Sequence, residues 1–141
     1  MPTIYLSPSL QEWNPYVDGG NEEYYMNLIA DAMEPYLRAS GIDFKRNSPE
    51  MTLRQAIADS NAGNYDLHLA IHSNASGESN AGKNRGVEVY YYPSSAKGQN
   101  FADTLATNFS DLYPIPEKVK TVPTTTLGEV RLTKDPASLI E

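Results

Sequence analysis

The segment from Tyr65 to His72 constrains the fold most, because it is a short apolar run bounded on both sides by turn-forming residues. A run of this length that is apolar at successive positions is typical of a strand buried on both faces, as in the parallel sheets of α/β proteins. A buried strand of this kind needs helices that cover the sheet on each side. The segment therefore predicts a strand inside a layered domain.

Helical patterns precede and follow this strand. From Glu23 to Gly41, apolar residues recur three and four positions apart and predict an amphipathic helix. We assign seven residues to its apolar stripe: Tyr25, Leu28, Ile29, Ala32, Met33, Tyr36 and Leu37. The segment Thr52–Gln55 has the spacing of a capping box that opens a second helix, and Ser95–Tyr113 carries a third helical pattern.

Strand-like segments alternate with these helices at Thr3–Pro8, Ile42–Asn47 and Gly86–Pro93. Alternation of strands and helices is typical of α/β proteins with a largely parallel sheet. No linker or internal repeat divides the chain. We therefore predict an α/β fold in which residues 1–141 form a single layered domain, with a mixed, mostly parallel β-sheet flanked by helices.

The composition excludes several kinds of partner and site. The formal charge is −7 and no cluster of lysine and arginine is present, so we expect neither nucleic acid nor an anionic membrane as a partner. No apolar stretch reaches membrane-spanning length, and the first residues lack the pattern of a signal peptide. The absence of cysteine excludes disulfides and thiolate metal sites.

The chain has two histidines, His68 and His72, four positions apart in the predicted buried strand. On a strand their side chains would face the same side but lie about 13 Å apart, too far to bind one metal ion. We therefore predict that they do not form a common site. His68 is expected to pack as a structural residue, whereas His72 lies at the carboxyl end of the strand, where open α/β sheets bind ligands.

A metal site at His72 would require further ligands, since catalytic zinc usually has three protein ligands and one open position. Without cysteine and with one suitable histidine, the others would be carboxylates. The candidates are Glu12, in the loop after the first strand, and Glu22 or Glu23, at the start of the first helix. The helix dipole favours acidic residues in a first turn without any metal, so the pattern leaves the choice open.

The order of these motifs resembles the zinc-dependent N-acetylmuramoyl-L-alanine amidases of the amidase-3 type, which are peptidoglycan hydrolases. The resemblance covers nearly the whole chain, with "DLHLAIHSNA" as its most specific part, and also includes "EEYYMNLIADAM", "RGVEVYYYP" and "PASLIE". It implies an α/β domain that binds one Zn²⁺ ion and acts on peptidoglycan or muropeptides. It also implies an extracellular, cell-wall or spore-associated location.

The resemblance assigns roles by position. His72 matches a histidine ligand of the family and Glu141 matches its catalytic glutamate. Glu23 matches the glutamate ligand, because Asn27 follows four residues later as in the family's helix pattern.

The family's first histidine ligand has no counterpart, because Leu10 occupies the aligned position. Glu12 is the nearest competent donor and Gln11 is a weaker one. The expected metal ligands are therefore Glu12, Glu23 and His72. A set with two carboxylates also suits a divalent ion other than zinc.

The activity that the resemblance implies is hydrolysis of the amide between N-acetylmuramic acid and L-alanine by water activated on the metal, with Glu141 transferring the proton. Similar domains continue beyond this glutamate, so we expect a C-terminal segment to be missing. The polar loop 73–85, with Asn74 at its base, is expected to line the substrate groove. The alternatives are a catalytically silent peptidoglycan-binding domain on the same fold and a metal-dependent hydrolase of free peptides.

Overall fold

The computed structural model describes residues 1–12, 15–16, 19–73 and 85–141. Strands and helices alternate along these residues. The strands are β1 (Thr3–Pro8), β2 (Asp43–Arg46), β3 (Leu67–Ile71), β4 (Val87–Tyr91), β5 (Val119–Pro123) and β6 (Ala137–Ile140). The helices are α1 (Glu22–Ala39), α2 (Leu53–Ala62), α3 (Ala96–Leu112) and the short α4 (Gly128–Arg131).

The strands form one sheet in the order β2-β1-β3-β6-β4-β5. Neighbouring strands are parallel except for β4 and β6, which pair antiparallel. The carboxyl ends of β1, β3 and β6 therefore meet at one edge of the sheet. This mixed and mostly parallel sheet, flanked by helices, confirms the predicted fold class.

The helices cover the two faces of the sheet. On one face, residues of α1 and α3 pack against the apolar side chains Leu67, Leu69 and Ile71 of β3. On the other face, Ala70 of β3 packs with Val130 of α4. The described residues contain no helix long and apolar enough to cross a membrane.

Helix α1 buries a different face from the one predicted. Its buried residues include Met26, Ala30 and Leu37, which recur at helical spacing. Five residues of the predicted stripe are exposed instead, namely Tyr25, Leu28, Ile29, Ala32 and Tyr36, whereas Leu37 is buried and Met33 packs against the core as predicted. Both faces of this helix carry apolar side chains, so periodicity alone did not fix its rotation about its axis. The predicted stripe was therefore wrong in phase.

The other local predictions agree better with the structure. Thr52 caps α2 through the predicted capping box with Gln55. Ser95 caps α3, so the predicted start of that helix is also confirmed. Strand β5, by contrast, lies in a proline-rich stretch that did not predict a strand. Its place at the edge of the sheet explains how Pro123 is tolerated, because an edge strand can leave one side without backbone hydrogen bonds.

Candidate metal-binding and catalytic site

His72 directly follows β3, at the edge where three parallel strands end. Its backbone N–H donates to the carbonyl of Ile140, at 2.8 Å, and the N–H of Ser9 donates to the carbonyl of Ile71, at 2.9 Å. These bonds extend the sheet to the ends of β1, β3 and β6. Ser9, His72 and Glu141, which directly follow these strands, therefore lie together at this edge.

Glu22 is the carboxylate that helix α1 brings to His72. The side chain of Asn21 caps the helix by accepting the N–H of Tyr24 at 2.8 Å, which fixes Glu22 in the first turn. Glu22 is buried, and its Oε1 atom lies 3.0 Å from Nδ1 of His72. The same oxygen accepts the backbone N–H of Ser73 at 3.1 Å.

Glu129, in α4, binds the opposite side of the imidazole. Its Oε2 atom lies 2.6 Å from Nε2 of His72, and its Oε1 atom lies 3.0 Å from Nε2 of His68. Oε1 also accepts the hydroxyl of Ser7. Glu129 is buried and thus connects β1, β3 and α4 within the protein.

The electrostatics of this cluster favour charged groups despite their burial. Burial alone would raise the pKa of Glu129, but hydrogen bonds from His68 and His72 outweigh it and lower the pKa to about 2. Burial likewise opposes the charged form of His72, whereas the carboxylates of Glu129 and Glu22 raise its pKa to about 9. The imidazolium of His72 is therefore held between the carboxylates of Glu22 and Glu129.

His68 is a packed histidine, as its position in mid-strand predicted. It is fully buried, its Nδ1 atom lies 2.8 Å from the hydroxyl of Ser60 in α2, and its ring stacks on that of Tyr5. However, His68 is not independent of His72, because both contact Glu129. The prediction that the two histidines form no common site missed this bridging carboxylate, and their inability to chelate one metal ion stays a prediction.

Glu141 lies at the same edge, immediately after β6. Its backbone pairs with that of Glu88 through two hydrogen bonds of 2.8 Å, one in each direction. Burial raises the pKa of the Glu141 carboxyl, while the charge of His72 opposes this shift and those of Glu22 and Glu88 add to it. Glu141 is therefore held within electrostatic reach of the His72–Glu22 pair.

A cavity of about 110 Å³ opens beside these groups. Its polar wall includes Gln11, His72 and Glu141, and its apolar wall is formed by leucines. The leucines are Leu53, Leu127 and Leu139. The cavity thus places a possible proton acceptor and a possible metal ligand next to an apolar surface.

The other two predicted ligands, Glu12 and Glu23, form no ion pair with His72 among the contacts of the described residues. Glu12 is exposed and Glu23 is partly exposed. Burial and then the charges of Glu12 and Glu50 raise the pKa of Glu23, so these carboxylates affect each other. The structure brings Glu22, rather than Glu23, into contact with His72. Metal binding by Glu12 and Glu23 stays a prediction, and Asn74 lies outside the described residues.

The donors at His72 fit a zinc ion in type and spacing. Among the described residues, no three His, Asp or Glu side chains are already grouped as a metal site. Yet Nδ1 of His72 and Oε1 of Glu22 are 3.0 Å apart, close to the roughly 3.3 Å that separates two ligands of a tetrahedral zinc. A metal ion could replace the proton between them with a small movement. Glu129 would then act on the second ring nitrogen, where metal-bound histidines commonly have a carboxylate partner.

Sequence reasoning missed Glu129 and did not choose Glu22. A signal for Glu22 exists, because it lies four residues before Met26 and eight before Ala30, on the buried stripe of α1. The signal for Glu129 is weaker. It is the one acidic residue in the segment "LGEVRL", and nothing in that segment indicates that it meets a histidine some sixty positions away.

The chain resembles known proteins in both sequence and fold. The sequence model of the amidase-3 type, described as N-acetylmuramoyl-L-alanine amidase, matches residues 11–141. A comparison with curated proteins found no match.

Solved structures share the fold at low sequence identity. The N-acetylmuramoyl-L-alanine amidase AmiC2 of Nostoc punctiforme is 19% identical with a TM-score of 0.80, over 99% of this chain and 78% of that one. The catalytic domain of the amidase CwlV from Bacillus (Paenibacillus) polymyxa var. colistinus is 18% identical with a TM-score of 0.80, over 100% and 79%. The CwlD amidase of Clostridioides difficile, solved in complex with the GerS lipoprotein, is 15% identical with a TM-score of 0.82, over 100% and 81%.

Proposed function

The chain belongs to the amidase-3 family of N-acetylmuramoyl-L-alanine amidases, and from this membership we propose that it cleaves the amide between N-acetylmuramic acid and L-alanine in peptidoglycan. We propose that one divalent ion, zinc by preference, assists the reaction. The observation that carries this proposal is the contact between Glu22 and His72 at the sheet edge, beside Glu141. Its substrate would place the protein at the cell wall.

The proposed ligands are Oε1 of Glu22 and Nδ1 of His72. Glu129 would hold the imidazole through Nε2 and so fix which nitrogen is free to bind. Gln11 lines the same cavity as His72, so its amide oxygen is the proposed third donor in place of Glu12. A zinc ion bound there would supply Lewis acidity to the acyl group and the attacking water.

Glu141 is the proposed proton acceptor. Its raised pKa makes the carboxylate a better base than an exposed glutamate, and its place in the cavity wall puts it beside a bound substrate. Glu141 would take a proton as water attacks the acyl carbon. It would then give that proton to the nitrogen of the leaving L-alanine as the C–N bond breaks, so that amide and water become a carboxylic acid and a free amine, which ionise afterwards.

The apolar wall of the cavity supports this substrate. The scissile amide is flanked by two methyl groups, one on the lactyl side and one on the alanine. Leu53, Leu127 and Leu139 offer these methyl groups an apolar surface, while the polar wall faces the amide. A small apolar surface beside a few polar groups is the usual arrangement of a ligand site.

The test compares two neighbouring variants, Glu22→Gln and Glu23→Gln. We expect the parent protein to bind about one zinc per chain and to release stem peptide from purified peptidoglycan. Glu22→Gln should lose both properties, whereas Glu23→Gln should keep them. Elemental analysis and an assay for new α-amino groups of alanine would measure this, with circular dichroism to confirm folding.

Other outcomes separate the remaining possibilities. If zinc binding and peptide release were lost in Glu23→Gln but kept in Glu22→Gln, Glu23 would be the ligand, as predicted from the sequence, and the proposed role of Glu22 would be wrong. A parallel pair, Gln11→Ala and Glu12→Gln, would identify the third donor in the same way. A parent protein that binds peptidoglycan but holds no zinc and releases no peptide would contradict the enzyme and favour the silent binding domain.

A further inference from the structure

Three tyrosine rings form a cluster at the start of α1. The rings of Tyr16 and Tyr25 stack with centroids 5.1 Å apart and an interplanar angle of 21°. The ring of Tyr24 meets that of Tyr25 edge-on, also at 5.1 Å. Tyr24 is 57% exposed and Tyr25 is 38% exposed, so this cluster, here called the tyrosine platform, presents aromatic surface to solvent.

The chain before α1 is shaped to hold the platform. Gly20 has a φ of 76°, and a Cβ atom at this position would lie 2.5 Å from the ring of Tyr25. Only glycine combines this backbone conformation with so close a ring. In addition, the N–H of Tyr16 donates to the carbonyl of Gly20 at 3.0 Å. The rings are therefore preorganised, which lowers the entropy lost when a ligand binds them.

The platform is continuous with the proposed catalytic site. The hydroxyl of Tyr16 is hydrogen-bonded to that of Ser73. Ser73 in turn donates its N–H to Glu22, the residue that contacts His72. A ligand that covers the tyrosine platform is therefore next to the reacting amide.

The charge around the platform indicates the chemistry of its ligand. Glu23 adjoins Tyr24 in the sequence and lies within electrostatic reach of Glu12 and Glu50. The carboxylates of a stem peptide would be repelled here, whereas a neutral sugar would not. The apolar face of a pyranose ring stacks well on an aromatic face, and its hydroxyl groups can bond to the tyrosine hydroxyls and nearby carboxylates.

We propose that the tyrosine platform binds an N-acetylated sugar ring of the glycan strand and thereby positions the adjoining lactyl amide at His72. This assignment rests on the proposed function, because it takes the substrate to be peptidoglycan. The sugar side of the substrate then lies over α1, and the peptide extends away from Glu12 and Glu23.

A second copy of the chain is the competing occupant. Leu28 and Ile29, one turn further along α1, are 46% and 45% exposed and extend the apolar surface. However, a symmetric dimer through this face would bring Glu23 and its neighbouring carboxylates close to the same groups of the partner. Like charges at such an interface oppose association, whereas a neutral sugar meets no such penalty.

The test measures sugar binding by calorimetry in the presence of a chelator, so that it depends on neither metal nor activity. The probe is a neutral tetramer of N-acetylglucosamine, compared with the free peptide L-alanyl-γ-D-glutamyl-L-lysine. We expect Tyr24→Ala to weaken binding of the tetramer by about five- to tenfold, as loss of one aromatic contact would. Tyr24→Phe should keep most of the affinity. Tyr36→Ala, which removes an exposed tyrosine outside the platform, should keep all of it.

Several results would overturn the assignment. These are failure of the parent protein to bind the tetramer, equal effects of Tyr24→Ala and Tyr36→Ala, and a loss of affinity for the peptide instead of the sugar. If the parent and Tyr36→Ala sediment as dimers but Tyr24→Ala sediments as a monomer, the tyrosine platform binds a second copy of the chain. If the tetramer binds as expected but no amide is cleaved, the proposed function fails and the sugar site stands.

Discussion

Glu129 accepts hydrogen bonds from His68, His72 and Ser7 inside the protein, where burial alone would favour its neutral form. The hydrogen bonds and charges of His68 and His72 outweigh burial and keep the Glu129 carboxylate ionised. The consequence is a fixed orientation of both imidazoles. For His72 this means that Nε2 is occupied by Glu129 and Nδ1 faces Glu22.

Replacing the carboxylate of Glu129 should affect both the stability of the fold and the affinity for zinc. We expect Glu129→Gln to lower the free energy of unfolding by about 3 kcal/mol, because the buried imidazolium loses its charged partner. The affinity for zinc should fall about 10- to 100-fold, since His72 is no longer held in place. Chemical denaturation and competition with a chromogenic chelator would measure the two effects.

An exposed glutamate provides the matched control for that substitution. Glu117→Gln changes the same charge on the surface and should alter neither quantity. A Glu129→Gln protein that is less stable but binds zinc as tightly as the parent would show that Glu129 serves the fold and does not position His72.

At the level of helices and strands, α1 shows how far the sequence could predict the site. Its existence and its position followed from periodicity, and the strand ends that form the site edge followed from the order of elements. Its rotation did not, because Tyr25 and Ile29 are as apolar as Met26 and Ala30. That rotation decides which glutamate reaches His72. Such a choice depends on packing against the sheet, which local patterns do not contain.

Helix α3 packs closely against β6 at Gly98, where a larger residue would not fit without movement. A Cβ atom on Gly98 would lie 3.1 Å from the backbone carbonyl oxygen of Ala137 and 2.8 Å from the hydroxyl oxygen of Ser95. Alanine would improve helix propensity by about 1 kcal/mol, but overpacking against backbone costs about 1–3 kcal/mol. We therefore expect Gly98→Ala to lower the free energy of unfolding by up to about 2 kcal/mol. Asn108→Ala, on the exposed side of α3, should not destabilise, and equal stability of both variants would contradict the close contact.

A further prediction concerns the contact that joins β1, β2 and α2. Asp59 accepts hydrogen bonds from the hydroxyl of Tyr5 and from Nζ of Lys45, both at 2.7 Å. The bonds from Lys45 and Tyr5 hold its pKa below the ordinary value of 3.8. A carboxyl whose pKa is lowered in the folded state adds stability above its unfolded pKa, and this stability is lost as the pH falls through the folded pKa.

Asp59→Asn should therefore destabilise the protein at neutral pH, and the difference from the parent should shrink below about pH 4 as the parent's Asp59 is protonated. Thermal unfolding of both proteins between pH 7 and pH 2.5 would show the trend. A difference that stays constant over this range would mean that the charge of Asp59 contributes nothing.

The molecule as a whole has a formal net charge of −7. Part of this negative charge is concentrated at one edge of the sheet. There Glu22, Glu129 and Glu141 surround the single imidazolium of His72. Composition predicted the sign of the total charge but not this concentration, because Glu22 lies far from Glu129 and Glu141 in the sequence. Only the topology, which ends β3 and β6 side by side, brings them together.

Binding of a divalent cation at this edge should stabilise the entire fold. At a free zinc concentration 100 times the dissociation constant, linkage predicts a gain of about 2.7 kcal/mol, or roughly 10 °C in Tm for a domain of this size. Addition of a chelator should reverse the shift, and Glu22→Gln should abolish it. Differential scanning calorimetry would measure this, and an equal shift in parent and variant would place the ion elsewhere.

The position of β6 in the sheet also bears on how the chain folds as it is made. Among the strands of the described residues it comes last in chain order, yet it lies between β3 and β4 and joins the two parts of the sheet. Strands β2, β1 and β3 can pair early, and β4 can pair with β5, but the two parts cannot join until Ala137–Ile140 is available. Contacts between residues so distant in sequence form slowly. During synthesis, the ribosome must therefore release the chain through Ile140 before the two parts of the sheet join and the edge at His72 forms.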